Sequence, residues 1–307
     1  MQVFELYFNP KLKEDKIFDS FLFEPENILE RRLGSLYLMG ELLNVLPQNL
    51  KFLDILSSHI KKEYYRISER STELAFRESL RKANEFLSDE AQRGNVSWLG
   101  NLSLAGLSLN NSIFHFTKVG SFKIFLLRSG EIFDIAKDLE FQEIEPYPLK
   151  IFGNTVSGKL SPEDKIIILS KDIFDFFSAQ NIIAEIAKFE KIDGKRLRRL
   201  LKSKEDLLGE ESGICLIIDL KAEPEVQKPE ARKRIMYEKI IPFSLSRILP
   251  RIPKNKISLV EATEASTGIN QTSLQIPKIK NNSTQKNPSF FWKSFFFQTK
   301  NNDARKS

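Results

Sequence analysis

Between Asn95 and Ile135 the chain reads NVSWLGNLSLAGLSLNNSIFHFTKVGSFKIFLLRSGEIFDI, three or four strands joined by tight turns. No other stretch restricts the fold as much. Leu102 and Leu104 alternate with Asn101 and Ser103, and Leu107 and Leu109 flank Ser108, the period-2 pattern of a pleated strand. The phase slips by one at Ala105-Gly106, which predicts a β-bulge there. Asn110-Asn111 supplies a turn, because asparagine accepts positive φ at low cost, and Ser129-Gly130 supplies another. Phe114 and Phe116 alternate with His115 and Thr117, and Phe122 to Leu127 is apolar enough for burial on both faces. An echo runs from Gly158 to Phe177: a Ser-Pro turn, an apolar strand at Ile166–Leu169 and the start of a helix. Val119–Leu127 and Ile166–Leu169 are therefore expected as central strands buried on both faces.

The flanking sequence sets these strands in blocks. Val3–Phe8, Phe18–Phe23 and Leu36–Leu42 read as strands. Pro47 opens a helix to about Ile67, with Leu50, Leu53, Leu56, Ile60 and Tyr64 on one stripe. Ser71-Thr72-Glu73 can cap a second helix to about Arg93, with Leu80, Ala83, Leu87 and Ala91 facing inward. After a Pro146/Pro148 loop and the echo strand, helices are expected from Ile182 to about Lys188 and over Lys195–Leu208, and a last strand over Gly213–Leu220. Blocks of strands and helices, without βαβ alternation, indicate an α+β layered fold.

Charge divides the chain in two. The net charge of +6 splits into +10 over residues 221–307, with 17 Lys/Arg and 7 Asp/Glu, and −4 over residues 1–220, with 30 and 34. The tail also holds 7 of the 13 prolines and has little periodic apolar pattern, so it is expected to be mostly disordered. Domain boundaries at 1–220 and 221–307 follow. The single cysteine, Cys215, excludes an intramolecular disulfide or a thiolate metal cluster, and its apolar strand makes it a buried, inert thiol. The first residues, MQVFELYFNPKLKEDK, lack a basic start and an apolar core, so no signal peptide is expected. No apolar run approaches the ~18 residues of a membrane span.

Several fragments, in order, resemble the metal-dependent protein phosphatases of type 2C. Val119-Gly120-Ser121-Phe122-Lys123 is similar to that family's valine-glycine-aspartate-serine-arginine turn, and Leu126-Leu127-Arg128-Ser129-Gly130 to the strand end that follows. Leu160-Ser161-Pro162-Glu163-Asp164, the strand Ile166–Leu169 and Ser170-Lys171-Asp172-Ile173 resemble its glycine-aspartate pair, strand and serine-aspartate-glycine-leucine motif. Ala83-Asn84 looks like part of its second helix, and Glu210-Glu211-Ser212-Gly213 stands where its last aspartate-asparagine would be. The resemblance covers roughly residues 1–220. It implies a four-layer αββα sandwich, two antiparallel sheets face to face with helices outside, and a reaction run by two divalent metals held by aspartates.

The ligand set is not carried over. Gly40, Ser121 and Lys171 stand at positions of family ligands, and Glu211-Ser212 replaces aspartate-asparagine. Lys171 puts an ammonium where an ion belongs, and like charges repel. Glu41, Asp172 and Glu211 are the carboxylates left nearby and are read as loop acids at strand ends; as an alternative they hold a shifted metal site. Glu5, Asp19 and Glu24 could stand in for the first acidic ligand, with no motif to choose among them. His59 and His115 have no second histidine at ligand spacing and are read as structural. The basic run Gly194–Lys202 is read as a solvated helix face. No catalytic residue is assigned, no cofactor is expected unless manganese or magnesium serves the alternative, and no nucleic acid is expected. The resulting expectation is a catalytically inactive phosphatase-like binding or regulatory module in the cytoplasm. The alternatives are a divergent metal-dependent phosphatase and a structural module of a membrane-associated assembly. Phe290 to Phe297 puts six aromatics around Lys293, a composition suited to a headgroup interface, so Trp292, Lys293 and Phe295 are candidates for contact with an anionic membrane at its inner face.

Overall fold

A strand whose two faces are both apolar needs a layer on each side, and this chain builds four layers around two such sheets. The computed structural model describes residues 1–139, 145–146, 149–220 and 233–237. All of them lie in one compact unit, Met1–Phe243. The strands are β1 (Gln2–Phe8), β2 (Ile17–Phe23), β3 (Ser35–Leu42), β4 (Leu102–Asn110), β5 (Ile113–Val119), β6 (Lys123–Arg128) and β7 (Glu131–Asp134). They continue with β8 (Glu145–Pro146), β9 (Leu149–Lys150), β10 (Val156–Lys159), β11 (Lys165–Leu169), β12 (Gly213–Asp219) and β13 (Lys233–Tyr237). The α-helices are α1 (Phe52–Tyr64), α2 (Thr72–Gln92), α3 (Lys171–Ala179), α4 (Ile182–Ala187), α5 (Gly194–Lys202) and α6 (Glu205–Leu208).

One sheet has the order β13-β1-β12-β11-β6-β7 and the other β10-β5-β4-β3-β2, with β8 and β9 paired separately. Residue parity assigns each side chain to a layer. Ile166 and Ile168 of β11, with Ile214, Leu216 and Ile218 of β12, meet Leu107, Leu109, Phe114 and Phe116 between the sheets. Their neighbours Ile167, Leu169, Cys215 and Ile217 face α3, α4 and α5. On the far side Leu36, Leu38, Leu102 and Leu104 pack on α1 and α2 through Leu53, Leu56, Ile60, Phe76, Leu80 and Leu87. The expected αββα sandwich is the architecture found, and β11 is buried on both faces.

Local expectations are corrected at five places. The register of β4 against β3 and β5 is continuous through Ala105-Gly106, so there is no bulge. The change of phase reflects double burial: Leu102 and Leu104 face the helices, while Ala105, Leu107 and Leu109 face the second sheet. Gly106 keeps the strand regular because a Cβ there would come within 3.2 Å of Leu38 and 3.5 Å of Phe76. Val119–Leu127 is not one strand, because Val119 ends β5 in one sheet and Lys123 begins β6 in the other. The crossing is made at Gly120, whose φ of +73° glycine adopts readily. Leu50 precedes α1 and is exposed rather than inward. The helix expected over Lys195–Leu208 breaks into α5 and α6. Finally, β13 comes from beyond Leu220 and runs parallel to β1, so that sheet is not wholly antiparallel. Ser71 caps α2 as expected, accepting from the Leu74 N–H at 3.3 Å.

Candidate functional site

Three segments far apart in sequence meet at one end of the sandwich. Glu41 is the penultimate residue of β3, Asp172 the second residue of α3, and Ser212 the residue before β12. Between them lies Lys16, the last residue of the β1–β2 turn, which the sequence did not single out. Its Nζ is 2.8 Å from Glu41 Oε2 and 3.1 Å from Asp172 Oδ2, and donates to the Ser212 carbonyl at 2.8 Å. The Lys16 and Glu41 side chains are only 2% and 4% exposed, so this ion pair sits in the interior. Glu41 Oε2 receives no aligned hydrogen bond, which makes its contact with Lys16 ionic rather than directional. Lys16 also lies 5.7 Å from the centroid of the Phe18 ring.

The turn that delivers Lys16 is pinned. Asn9, at φ +42°, donates from Nδ2 to the Leu208 carbonyl at 3.0 Å and to the Glu211 carbonyl at 2.7 Å. Ser212 Oγ donates back to the Asn9 carbonyl at 3.2 Å. The Val45 N–H donates to the Asp15 carbonyl at 2.9 Å. Lys13 adds a second ammonium 3.1 Å from Asp172, at the rim.

Electrostatics follows from these contacts. Burial works against the Asp172 carboxylate, but the Lys16 and Lys13 ammoniums outweigh it and hold its pKa below the usual range. The folded state thus releases this proton more readily than the unfolded chain. The stabilisation is complete above the ordinary carboxylate range and is lost as pH falls through the depressed folded value. Glu211 behaves in the opposite sense: burial first, then the Asp172 charge, push it up, against the pull of Lys13 and Lys16. Its contribution weakens the fold as pH rises from the ordinary range through the raised value.

Glu41, Asp172 and Glu211 therefore share one neighbourhood, centred on lysines. Lys171 does not point there: it is the first residue of α3, it is exposed, and it pairs with Asp175 at 2.8 Å. A helix start at Ser170 turns residue 171 out and residue 172 in, so the cation facing the carboxylates is Lys16 and not Lys171. Gly40 faces the helices, where a Cβ would lie 2.8 Å from Leu53 Cδ2, so a larger residue there would press on α1. Ser121 bonds to Ser103, with Oγ atoms 3.2 Å apart, and Ser103 is the register partner of Glu41. Glu5 accepts from Ser20 Oγ at 2.6 Å, Asp19 accepts from the Tyr7 hydroxyl, and Glu24 is exposed. His115 is buried against Ser157 Oγ at 2.6 Å, with burial lowering its pKa, and His59 stacks on Phe86. Burial pushes the Cys215 thiol up, leaving it un-ionised. The charged side chains of α5 are exposed while Leu197, Leu200 and Leu201 are buried. Trp292, Lys293 and Phe295 lie outside the described residues.

Among solved structures, two arginine-substituted forms of a bacterial serine phosphatase match with TM-scores of 0.51 and 0.50. Each is 12% identical, over 72% of this chain and 99% of the other. The fold is that of the type 2C serine phosphatases. The PP2C phosphatase domain of SpoIIE from Bacillus subtilis matches at a TM-score of 0.48 and 15% identity, over 72% of this chain and 61% of that one. No protein-family model matches the sequence, and no curated protein matches it. On this phosphatase fold, among the described residues, no three His, Cys, Asp or Glu side chains form a group that could hold a metal ion.

The geometry separates the two lysines in a stability experiment. Lys16→Met leaves Glu41 buried without its counter-charge and should lower the unfolding free energy by about 3 kcal/mol. Lys171→Met should leave the denaturation midpoint where it was. Equal effects in urea titrations would contradict the assignment of Lys16 as the buried cation.

Proposed function

We propose that this phosphatase-fold chain is a binding or regulatory module that does not hydrolyse phosphoesters. The Lys16 ammonium between Glu41 and Asp172 is the observation that carries this reading. Two-metal hydrolysis needs converging carboxylates to offset roughly +4 of ionic charge, and uses both ions to make hydroxide at neutral pH. The donor set does not fit two divalent ions, because Lys16 and Lys13 already bring two positive charges to the carboxylates. A third cation here would meet repulsion at close range in a poorly screened interior. The rival reading, a divergent phosphatase using Glu41, Asp172 and Glu211, draws support from the inward direction of Glu41 and Asp172. Turnover of p-nitrophenyl phosphate with manganese decides between them. The expected rate equals the blank; turnover that disappears in both Glu41→Ala and Asp172→Ala would establish the enzyme.

For the tail we propose contact with an anionic membrane surface, peripheral and from the cytoplasmic side. Its charge of +10 and the aromatics around Lys293 support this. No helix among the described residues is long and apolar enough to cross a membrane. Each Lys or Arg near such a surface contributes ~1 kcal/mol, and Trp292 and Phe295 would add apolar burial. Co-sedimentation with phosphatidylserine vesicles should be salt-sensitive and lost on deleting residues 244–300. Binding that survives the deletion would refute the assignment.

A further inference from the structure

We infer that Lys16 fills the place of a divalent cation, so that this end of the sandwich is a cation site satisfied by the chain itself. The inference rests on the reading of the fold as metal-independent and deepens it by naming the group responsible. Three oxygens from three segments converge on one point: Glu41 Oε2 at 2.8 Å, Asp172 Oδ2 at 3.1 Å and the Ser212 carbonyl at 2.8 Å from Nζ. Two carboxylates and a backbone carbonyl are the donor types that hard cations take, with water completing the shell. Ammonium contacts of this length are about 0.7–1 Å longer than magnesium or manganese would require, so an ion would sit nearer the backbone carbonyl of Ser212 and the Glu41 and Asp172 side chains would rotate toward it. Glu41 Oε2 is buried, and the Lys16 ammonium at 2.8 Å supplies its compensating charge. The Lys16 ammonium lies 5.7 Å from the Phe18 ring centroid and its turn is pinned by Asn9, which holds the ammonium in place from one side. Lys13 reaches the same Asp172 oxygen from solvent, being about half exposed, and can swing clear.

Removing the ammonium while keeping the oxygens should therefore open the site to a free ion. In the full chain, Lys16→Met should bind manganese at least tenfold more tightly than the wild type by isothermal titration calorimetry. The gain should vanish in Lys16→Met/Glu41→Gln/Asp172→Asn, which separates this site from surface carboxylates. A folded Lys16→Met that binds no better than the wild type overturns the inference and leaves the proposed lack of hydrolysis standing. Equal tight binding by the wild type through Glu41 and Asp172 overturns both. If Lys16→Met does not fold in chelator, refolding followed by circular dichroism gives the same decision. Recovery in manganese but not in chelator supports a cation role, and recovery in neither overturns it. Lys16→Arg, which keeps a positive charge, should fold without metal in either case.

Discussion

A buried ammonium facing a buried carboxylate organises this end of the molecule. Neither ion is stable in the interior alone: an uncompensated buried charge costs several kcal/mol, and its partner offsets that only at close range. The contact between Lys16 and Glu41 therefore fixes where the β1–β2 turn must lie relative to β3. Because Lys16 also reaches Asp172 and the Ser212 carbonyl, the same contact ties the start of α3 and the approach to β12 to the opposite sheet. Asn9 and Ser212 complete the arrangement by satisfying backbone groups of the turn and of the segment before β12.

The layers explain why the acids lie where they do. In β3, Leu38 and Gly40 share the helix-facing parity, while Met39 and Glu41 take the opposite one. A carboxylate at position 40 would be aimed at Leu53, whereas position 41 opens to the end of the sandwich. The start of α3 makes the same selection between Lys171 and Asp172. In both places the acid is one residue beyond the position the family resemblance would assign. The turn residue Asp164, by contrast, has a structural task. It takes the Arg128 guanidinium at 2.9 and 2.6 Å and the Ser161 N–H at 2.6 Å, closing the turn before β11.

Much of the fold was legible because its strongest signals are local. The alternation of Leu102 to Leu109, the Phe114/Phe116 pair and the Ile166–Leu169 run each identify a strand from its own residues. What failed was the inference from phase to geometry. A strand buried on both faces has no polar side to define its parity, so a small residue such as Gly106 reads as a slip when it is only a place where Leu38 and Phe76 need room. The turn at Gly120 was visible in Val119-Gly120-Ser121, but nothing local shows that the strands before and after it lie in different sheets. The site was legible in its acids and not in its cation. Lys16 sits in a turn with Lys11 and Lys13, and nothing local distinguishes a lysine bound for the interior from two that face solvent. Its partner Asp172 is 156 residues away, so the pairing exists only once the sheets have formed.

Crystals of the full chain soaked in manganese and measured at its absorption edge address the central claim most directly. The expected anomalous map has no peak among Glu41, Asp172 and the Ser212 carbonyl, with the Lys16 ammonium in clear density between them. A manganese peak at that point, with the Lys16 side chain displaced, would contradict the account.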